Sequence, residues 1–280
     1  MNADSNILTP DILRVEGVTV RFGDFTALND LSLTLRRGEL RVVIGPNGAG
    51  KTTLLDVITG KARARTGRVV FMPHGGSGRD LTRLKEQTIS GLGVGRKFQT
   101  PNVFKSLSVV ENLQLALKYP RGVFATLAAA FRQDGRDRVE EILAMTGLGG
   151  RAYGKAGILS HGEKQWLELG MLMAQAPELL LVDEPVAGMT PRESERTGEL
   201  LSAMARKHTL LVIEHDMSFV RQIAEKVTVL DEGKMLFEGT VDEVQRNEKV
   251  IEVYLGHDKK DHSAAKPAKR VAGVSVTAAR

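Results

Sequence analysis

The chain has 280 residues, an ordinary share of apolar side chains and no cysteine. That is enough for one large domain or two small ones with an ample core, and it excludes a disulfide framework or a thiolate metal centre. Its apolar runs fall far short of the ~20 residues that span a bilayer. Met1–Pro10 shows no basic stretch followed by an apolar one, so no secretory leader is expected.

The net charge of +5 sits largely at one end. Lys259, Lys260, Lys266, Lys269, Arg270 and Arg280 face only Asp258 and Asp261 there, which leaves the body close to neutral. A near-neutral body argues against nucleic acid as a partner. The tail, 257–280, is rich in Ala and Lys without apolar periodicity and is expected to be disordered and without a role of its own. Contact with anionic lipid or another subunit is its functional alternative.

In chain order, Ile12–Arg21 alternates apolar and polar residues and reads as a half-buried strand. Phe22-Gly23-Asp24 makes a turn. Leu31, Leu33 and Leu35 mark a second strand, completing an antiparallel hairpin. Phe22 is either a half-buried hairpin aromatic or a flat surface for an adenine ring. Leu40–Ile44 is a short apolar run typical of a buried strand. Gly45-Pro46-Asn47-Gly48-Ala49-Gly50-Lys51-Thr52-Thr53 follows it and fits G-x-x-x-x-G-K-[ST], the phosphate-binding loop. Leu54, Leu55, Val57 and Ile58 then recur at helical spacing until Gly60.

The residue types of that loop suit its chemistry. Glycines let the backbone curl so that several N–H groups face one anion. The following helix adds unpaired N–H groups and its positive dipole end. Lys51 would set a charge on the β- and γ-phosphates, and Thr52 would offer its hydroxyl to Mg²⁺.

Further on, Gly67–Phe71 reads as a strand, Met72–Arg79 as turns, and Leu81–Leu92 as a helix. Val94–Pro101 is expected to end regular structure. Within it Gln99 is either an exposed loop glutamine or a group that reaches metal or water. Val103–Gly147 carries helical spacing and no strand signal, which suggests a helical block inserted into an α/β core. Ser160 and Glu163 form a capping box ahead of the next helix, and that helix start, with Gly162, is also a ready anion site. Trp166, the one tryptophan, is expected to pack on that helix.

Leu179–Asp183 is a fully apolar strand ending in Asp183 and Glu184, and it belongs in a parallel sheet, whose carboxyl edge is where ligands bind. Asp183 would hold Mg²⁺, and Glu184 would orient or deprotonate a water. Leu210–Ile213 is another such strand, and His215 behind it could bond a γ-phosphate. Val227–Leu230 and Lys234–Phe237 flank Asp231-Glu232-Gly233 as a hairpin. Asp242–Leu255 reads as a closing helix.

Taken in order, these motifs resemble an ATP-binding subunit of an ABC transporter, over roughly Leu13–Gly256. The match joins the phosphate loop, the glutamine loop at Gln99, the signature Leu159–Glu163, the Walker B strand Leu179–Glu184 and the switch histidine His215. The resemblance implies a P-loop ATPase core with a parallel sheet, an N-terminal antiparallel β subdomain and an inserted helical subdomain at about 103–175. It implies an extension at 1–11, the ATP-binding domain at 12–256, and the tail beyond.

It also implies ATP and Mg²⁺ as ligands, with Thr52, Gln99 and Asp183 at the metal. Glu184, His215 and Gln99 would serve hydrolysis. Phe22, Gly45, Pro46, Asn47, Gly48, Ala49, Gly50, Lys51, Thr52 and Thr53 would hold the nucleotide, and Ser160 and Gly162 would face the γ-phosphate bound to a second ATP-binding subunit. Gln99 would couple the site to transmembrane permease subunits, which a periplasmic solute-binding protein would feed. The chain would then lie in the cytoplasm against the inner face of the membrane.

Three positions depart from the family pattern. His161 and Glu163 stand in a signature that usually reads Leu-Ser-Gly-Gly-Gln, and Thr190 stands where the loop after Walker B usually carries aspartate. Gly95–Pro101, Ile213–Met217 and Val253–Gly256 are similar to importers of branched-chain amino acids and urea. Ser160–Glu168 and Pro185–Thr190 are most similar to the urea branch, so the resemblance implies an ATP-hydrolysing subunit of an importer of a small polar solute, urea being the first expectation. The alternatives are a branched-chain amino acid importer, a soluble ABC ATPase and a subunit that binds ATP without turnover.

Overall fold

Alternation and a tight turn give the expected hairpin: β1 (Asp11–Phe22) pairs antiparallel with β2 (Phe25–Arg36), closing on the Phe22–Phe25 pair. The computed structural model describes residues 10–97, 102–117 and 133–253. On the other edge of β1 lies β4 (Thr66–Phe71), followed by the two-residue β5 (Arg79–Asp80), so this antiparallel sheet runs β2-β1-β4-β5.

The second sheet has six strands in the order β10-β9-β3-β8-β7-β6. It contains β3 (Leu40–Ile44), β6 (Val94–Lys97), β7 (Leu179–Asp183), β8 (Thr209–Ile213), β9 (Lys226–Asp231) and β10 (Lys234–Gly239). All its pairings are parallel except the β9–β10 hairpin. β3, β7 and β8 are buried along their whole length, as expected where both faces of a parallel sheet are covered.

Period-2 geometry sends alternate side chains to opposite cores. Val43, Leu179, Leu181, Leu211 and Ile213 join Leu54, Leu55 and Ile58 of α1 (Lys51–Ile58) and the inner face of the antiparallel sheet. Val42, Ile44, Leu180, Val182, Leu210 and Val212 face a second core. That core contains side chains of α3 (Val109–Ala116), α4 (Gln133–Thr146), α5 (His161–Ala174), α6 (Pro191–Ala205), α7 (Met217–Ile223) and α8 (Val241–Arg246). α2 (Glu86–Gly91) lies beside β6.

Three sequence expectations are corrected. The helix foreseen at Leu81–Leu92 is confined to α2. Leu81 instead follows β5, with its N–H on the Val69 carbonyl at 2.7 Å, while Asp80 turns the chain by accepting the Thr82 N–H at 2.9 Å. Val94–Lys97 does not end regular structure but forms the edge strand β6. The closing helix breaks at Asn247, whose Oδ1 caps a fresh turn through the N–H groups of Lys249 and Val250.

Candidate active site

The parallel register brings four strand ends to one edge. Val43 lies beside Ile213, Ile213 beside Asp183, and Val182 beside Lys97. The segments leaving β3, β8, β7 and β6 therefore emerge side by side, at the carboxyl edge where such sheets bind ligands.

From β3 the chain enters Gly45–Gly50 and then α1. A side chain at Gly45 would run into the Leu230 carbonyl, and one at Gly50 would lie 2.5 Å from the Ala27 carbonyl. Gly50 also has φ +96°, so it lets the loop press against β2 and turn directly into the helix. No side chain caps the start of α1. Its first N–H groups face outward from an uncapped, positive helix end, which is the arrangement a phosphate satisfies. Lys51 Nζ donates to the Gly45 and Pro46 carbonyls at 2.6 and 2.9 Å. Burial pushes its pKa below the usual lysine range, against the opposing pull of Glu184 and Asp183. Asn47, Gly48 and Thr52 are exposed, Pro46 and Thr53 partly so, and Ala49 is buried.

At the end of β7, Asp183 is 2% exposed. Arg96 of β6 reaches its Oδ2 at 3.4 Å and Asp56 of α1 at 2.5 Å. Asp183 Oδ1 is buried without a hydrogen-bond partner. Burial, ahead of the opposing Arg96 charge, raises the Asp183 pKa. A buried, unsatisfied carboxylate oxygen beside an uncapped phosphate loop fits a hard cation that also binds phosphate. Glu184 follows with φ +44°, a left-handed backbone rare for a residue with a side chain. Its N–H donates to the Ile213 carbonyl at 3.0 Å. His215 is exposed, and its Nδ1 lies 3.7 Å from Glu184 Oε1. Asp183, Glu184, His215 and the phosphate loop are thus brought together as expected.

Phe22 lies at the hairpin tip, 55% exposed, with Phe25 equally open across from it. An exposed aromatic suits the ring-stacking alternative better than the half-buried one. Gln99 lies outside the described residues. Ser160 and Gly162 open α5; Ser160 is exposed and completes its capping box with Glu163.

Two contributors escaped sequence reasoning. Glu214, 1% exposed, accepts the N–H groups of His215 at 2.9 Å, Asp216 at 3.3 Å and Val186 at 3.3 Å, and so fastens the His215 turn to the Glu184 turn. Arg96 has no signal in the local pattern, because both its acidic partners come from distant segments. Glu214 had one: an acid directly before His215 at the end of an apolar strand.

A phosphate loop, an acidic strand end and a carboxylate–histidine pair on one parallel-sheet edge define a phosphate-loop nucleoside triphosphatase. The family model for ABC transporters matches residues 28–187, and one for branched-chain amino acid ATP-binding cassette transporters matches 234–260. The chain is 36% identical to the high-affinity branched-chain amino acid transport ATP-binding protein LivG of Salmonella typhimurium, over 89% of this chain and 99% of that one. It is 34% identical to the corresponding BraF protein of Pseudomonas aeruginosa, over 88% and 98%. An ATP-binding cassette of an ABC transporter solved in its ADP conformation superposes with a TM-score of 0.74 at 32% identity, covering 89% of this chain and 100% of that one. The chain belongs to the ATP-binding subunits of ABC transporters, of the branched-chain amino acid importer type, and it is an ATPase.

Proposed function

We propose that this chain drives a membrane importer by binding and hydrolysing ATP at the edge formed by β3, β7 and β8. The carrying observation is the placement of Lys51, Asp183, Glu184 and His215 on adjacent strand ends. On this reading the Gly45–Thr53 backbone and Lys51 hold the β- and γ-phosphates, and Phe22 stacks on the adenine. Thr52 and Asp183 hold Mg²⁺, with Gln99 as a further ligand. When bound, that ion neutralises charge developing on the transferred phosphoryl group. Glu184 orients the attacking water and takes its proton, while His215 contacts the γ-phosphate. Ser160 and Gly162 face the nucleotide of a second ATP-binding subunit across a dimer. Among the described residues no helix is long and apolar enough to cross a membrane. On the same reading the chain works as a peripheral subunit on the cytoplasmic face, docked on permeases that take solute from a periplasmic binding protein. The ATP-binding domain spans 12–256 with its helical block at about 103–175, between the extension 1–11 and the tail 257–280.

The solute we assign is a branched-chain amino acid, because the relatives are named for that transport. Urea, the first expectation from sequence, finds no support among them. It stays as a second reading on the likeness of Ser160–Glu168 and Pro185–Thr190 to the urea branch. Uptake of labelled leucine and labelled urea in the source cells, wild type against Glu184→Gln, tests both. Loss of leucine uptake alone is expected, with the hydrolytic rate reduced by roughly 100-fold or more. Loss of urea uptake alone would move the solute and keep the mechanism. Unchanged uptake of both with a folded variant would overturn the solute assignment.

A further inference from the structure

The signature loop of this chain carries His161 where small residues are usual, and the structure shows its imidazole engaged at home. His161 Nε2 lies 3.3 Å from the Ala187 carbonyl, on the turn that follows Glu184. The same ring nitrogen sits 3.5 Å from Gln165 Nε2, one helical turn along α5. Next to it, a side chain at Gly162 would lie 2.5 Å from Glu193 Oε1, so the start of α5 packs directly against the Glu193 side chain of α6. Farther along, Trp166 Nε1 donates to Thr197 Oγ1 of α6 at 2.9 Å, and Thr197 Oγ1 lies 3.3 Å from Met189 Sδ on the turn after β7.

We infer that His161 is a positioning residue that latches the signature loop to the 184–190 turn of its own chain. The reasons are geometric. Two successive residues of the signature, His161 and Gly162, meet the 184–193 stretch, and Trp166 repeats the connection one turn deeper. The imidazole Nε2 faces a main-chain carbonyl of the other segment, so its role is to hold two segments together. On the reading proposed above, both segments face nucleotide, and the latch makes them move as one body. A small residue at 161 has no group that can make this bond.

The one tryptophan of the chain lies in the connection and reports on it. The experiment uses purified full-length protein with His161→Ala and His161→Gln; the glutamine amide can still donate to the Ala187 carbonyl. Thermal melts establish folding. Expected for His161→Ala are stronger acrylamide quenching of Trp166 fluorescence and an ATPase kcat lower by about tenfold or more, with KM for ATP within about twofold of wild type. His161→Gln should restore both. Unchanged quenching in His161→Ala, or a raised KM with kcat intact, would overturn the latch, the second outcome making His161 a nucleotide contact. The kinetic arm rests on the ATPase reading and the fluorescence arm does not. A quenching change that glutamine reverses, in a chain without any ATPase activity, would support the latch and sink the functional proposal.

Discussion

At the scale of single residues, Thr190 shows how a departure from a family pattern can have a local physical cause. It is the N-cap of α6: its hydroxyl accepts the Glu193 N–H at 3.3 Å, and the Glu193 carboxylate accepts the Thr190 N–H at 3.0 Å. Replacing Thr190 by Ala is expected to cost about 1 kcal/mol in a denaturant melt. Bonds from Thr190, the backbone one first, hold the Glu193 carboxyl below the usual carboxylate range. Its stabilisation is therefore full above the unfolded value of about 4.3 and fades as pH falls through the folded one. Glu193→Gln should melt below wild type at neutral pH and converge with it below about pH 4; a constant difference across that range would refute the assignment. This cap was legible: Thr190-Pro191-Arg192-Glu193 is a capping box with proline at the first helical position. The 3.3 Å bond from His161 to Ala187 had no such signal, because nothing in the sequence says which backbone carbonyl an imidazole will meet.

Among the strands of the parallel sheet, β6 is the one sequence reasoning missed. Val94-Gly95-Arg96-Lys97 ends in two cations, which argues against an interior strand. They are tolerated because each meets an acid from elsewhere: Arg96 meets Asp56 and Asp183, and Lys97, fully buried, meets Glu168 of α5 at 3.7 Å. Burial lowers the Lys97 pKa and raises that of Glu168, each opposed by its partner. Glu168 also accepts the Asn102 N–H at 3.2 Å, so α5 grips the chain at both 97 and 102. Glu168→Ala leaves a buried ammonium without its carboxylate and should cost about 3–5 kcal/mol. The double variant Lys97→Met with Glu168→Leu should recover most of that in the same urea melt; a double variant as unstable as the single would mean that the charges themselves are required. By contrast β3, β7 and β8 were plain in the sequence, since a strand covered on both faces is a continuous apolar run.

For the whole molecule, ligand and fold are linked. The phosphate loop lies between two structural bodies: its strand belongs to the parallel sheet, while Gly50 abuts Ala27 of the antiparallel sheet. Nucleotide bound there stabilises both. At a hundredfold excess of ADP over Kd the gain is about 2.7 kcal/mol, read as a rise in Tm. Glu184→Gln should keep that shift and Lys51→Ala should lose most of it; an equal loss in both would mean that Glu184 acts in binding and not in turnover. The overall plan was readable from motif order, because the phosphate loop, the Asp183–Glu184 pair and His215 each lie at the end of an apolar strand. The pairing order of the strands was not, as it depends on contacts between distant parts of the chain.

That pairing order also has a consequence for how the protein is made. β3 carries the phosphate loop, yet its two neighbours in the sheet are β8 and β9, so Leu40 waits for Leu210 and Val42 for Val227. On a translating ribosome the central strand emerges with both edges bare, long before either partner exists. Contacts so far apart in sequence form slowly and leave unpaired edges exposed meanwhile. Nascent chains that stall before β8 therefore carry the complete phosphate-loop motif without the sheet that shapes it, and they are the species that chaperones and proteases will meet.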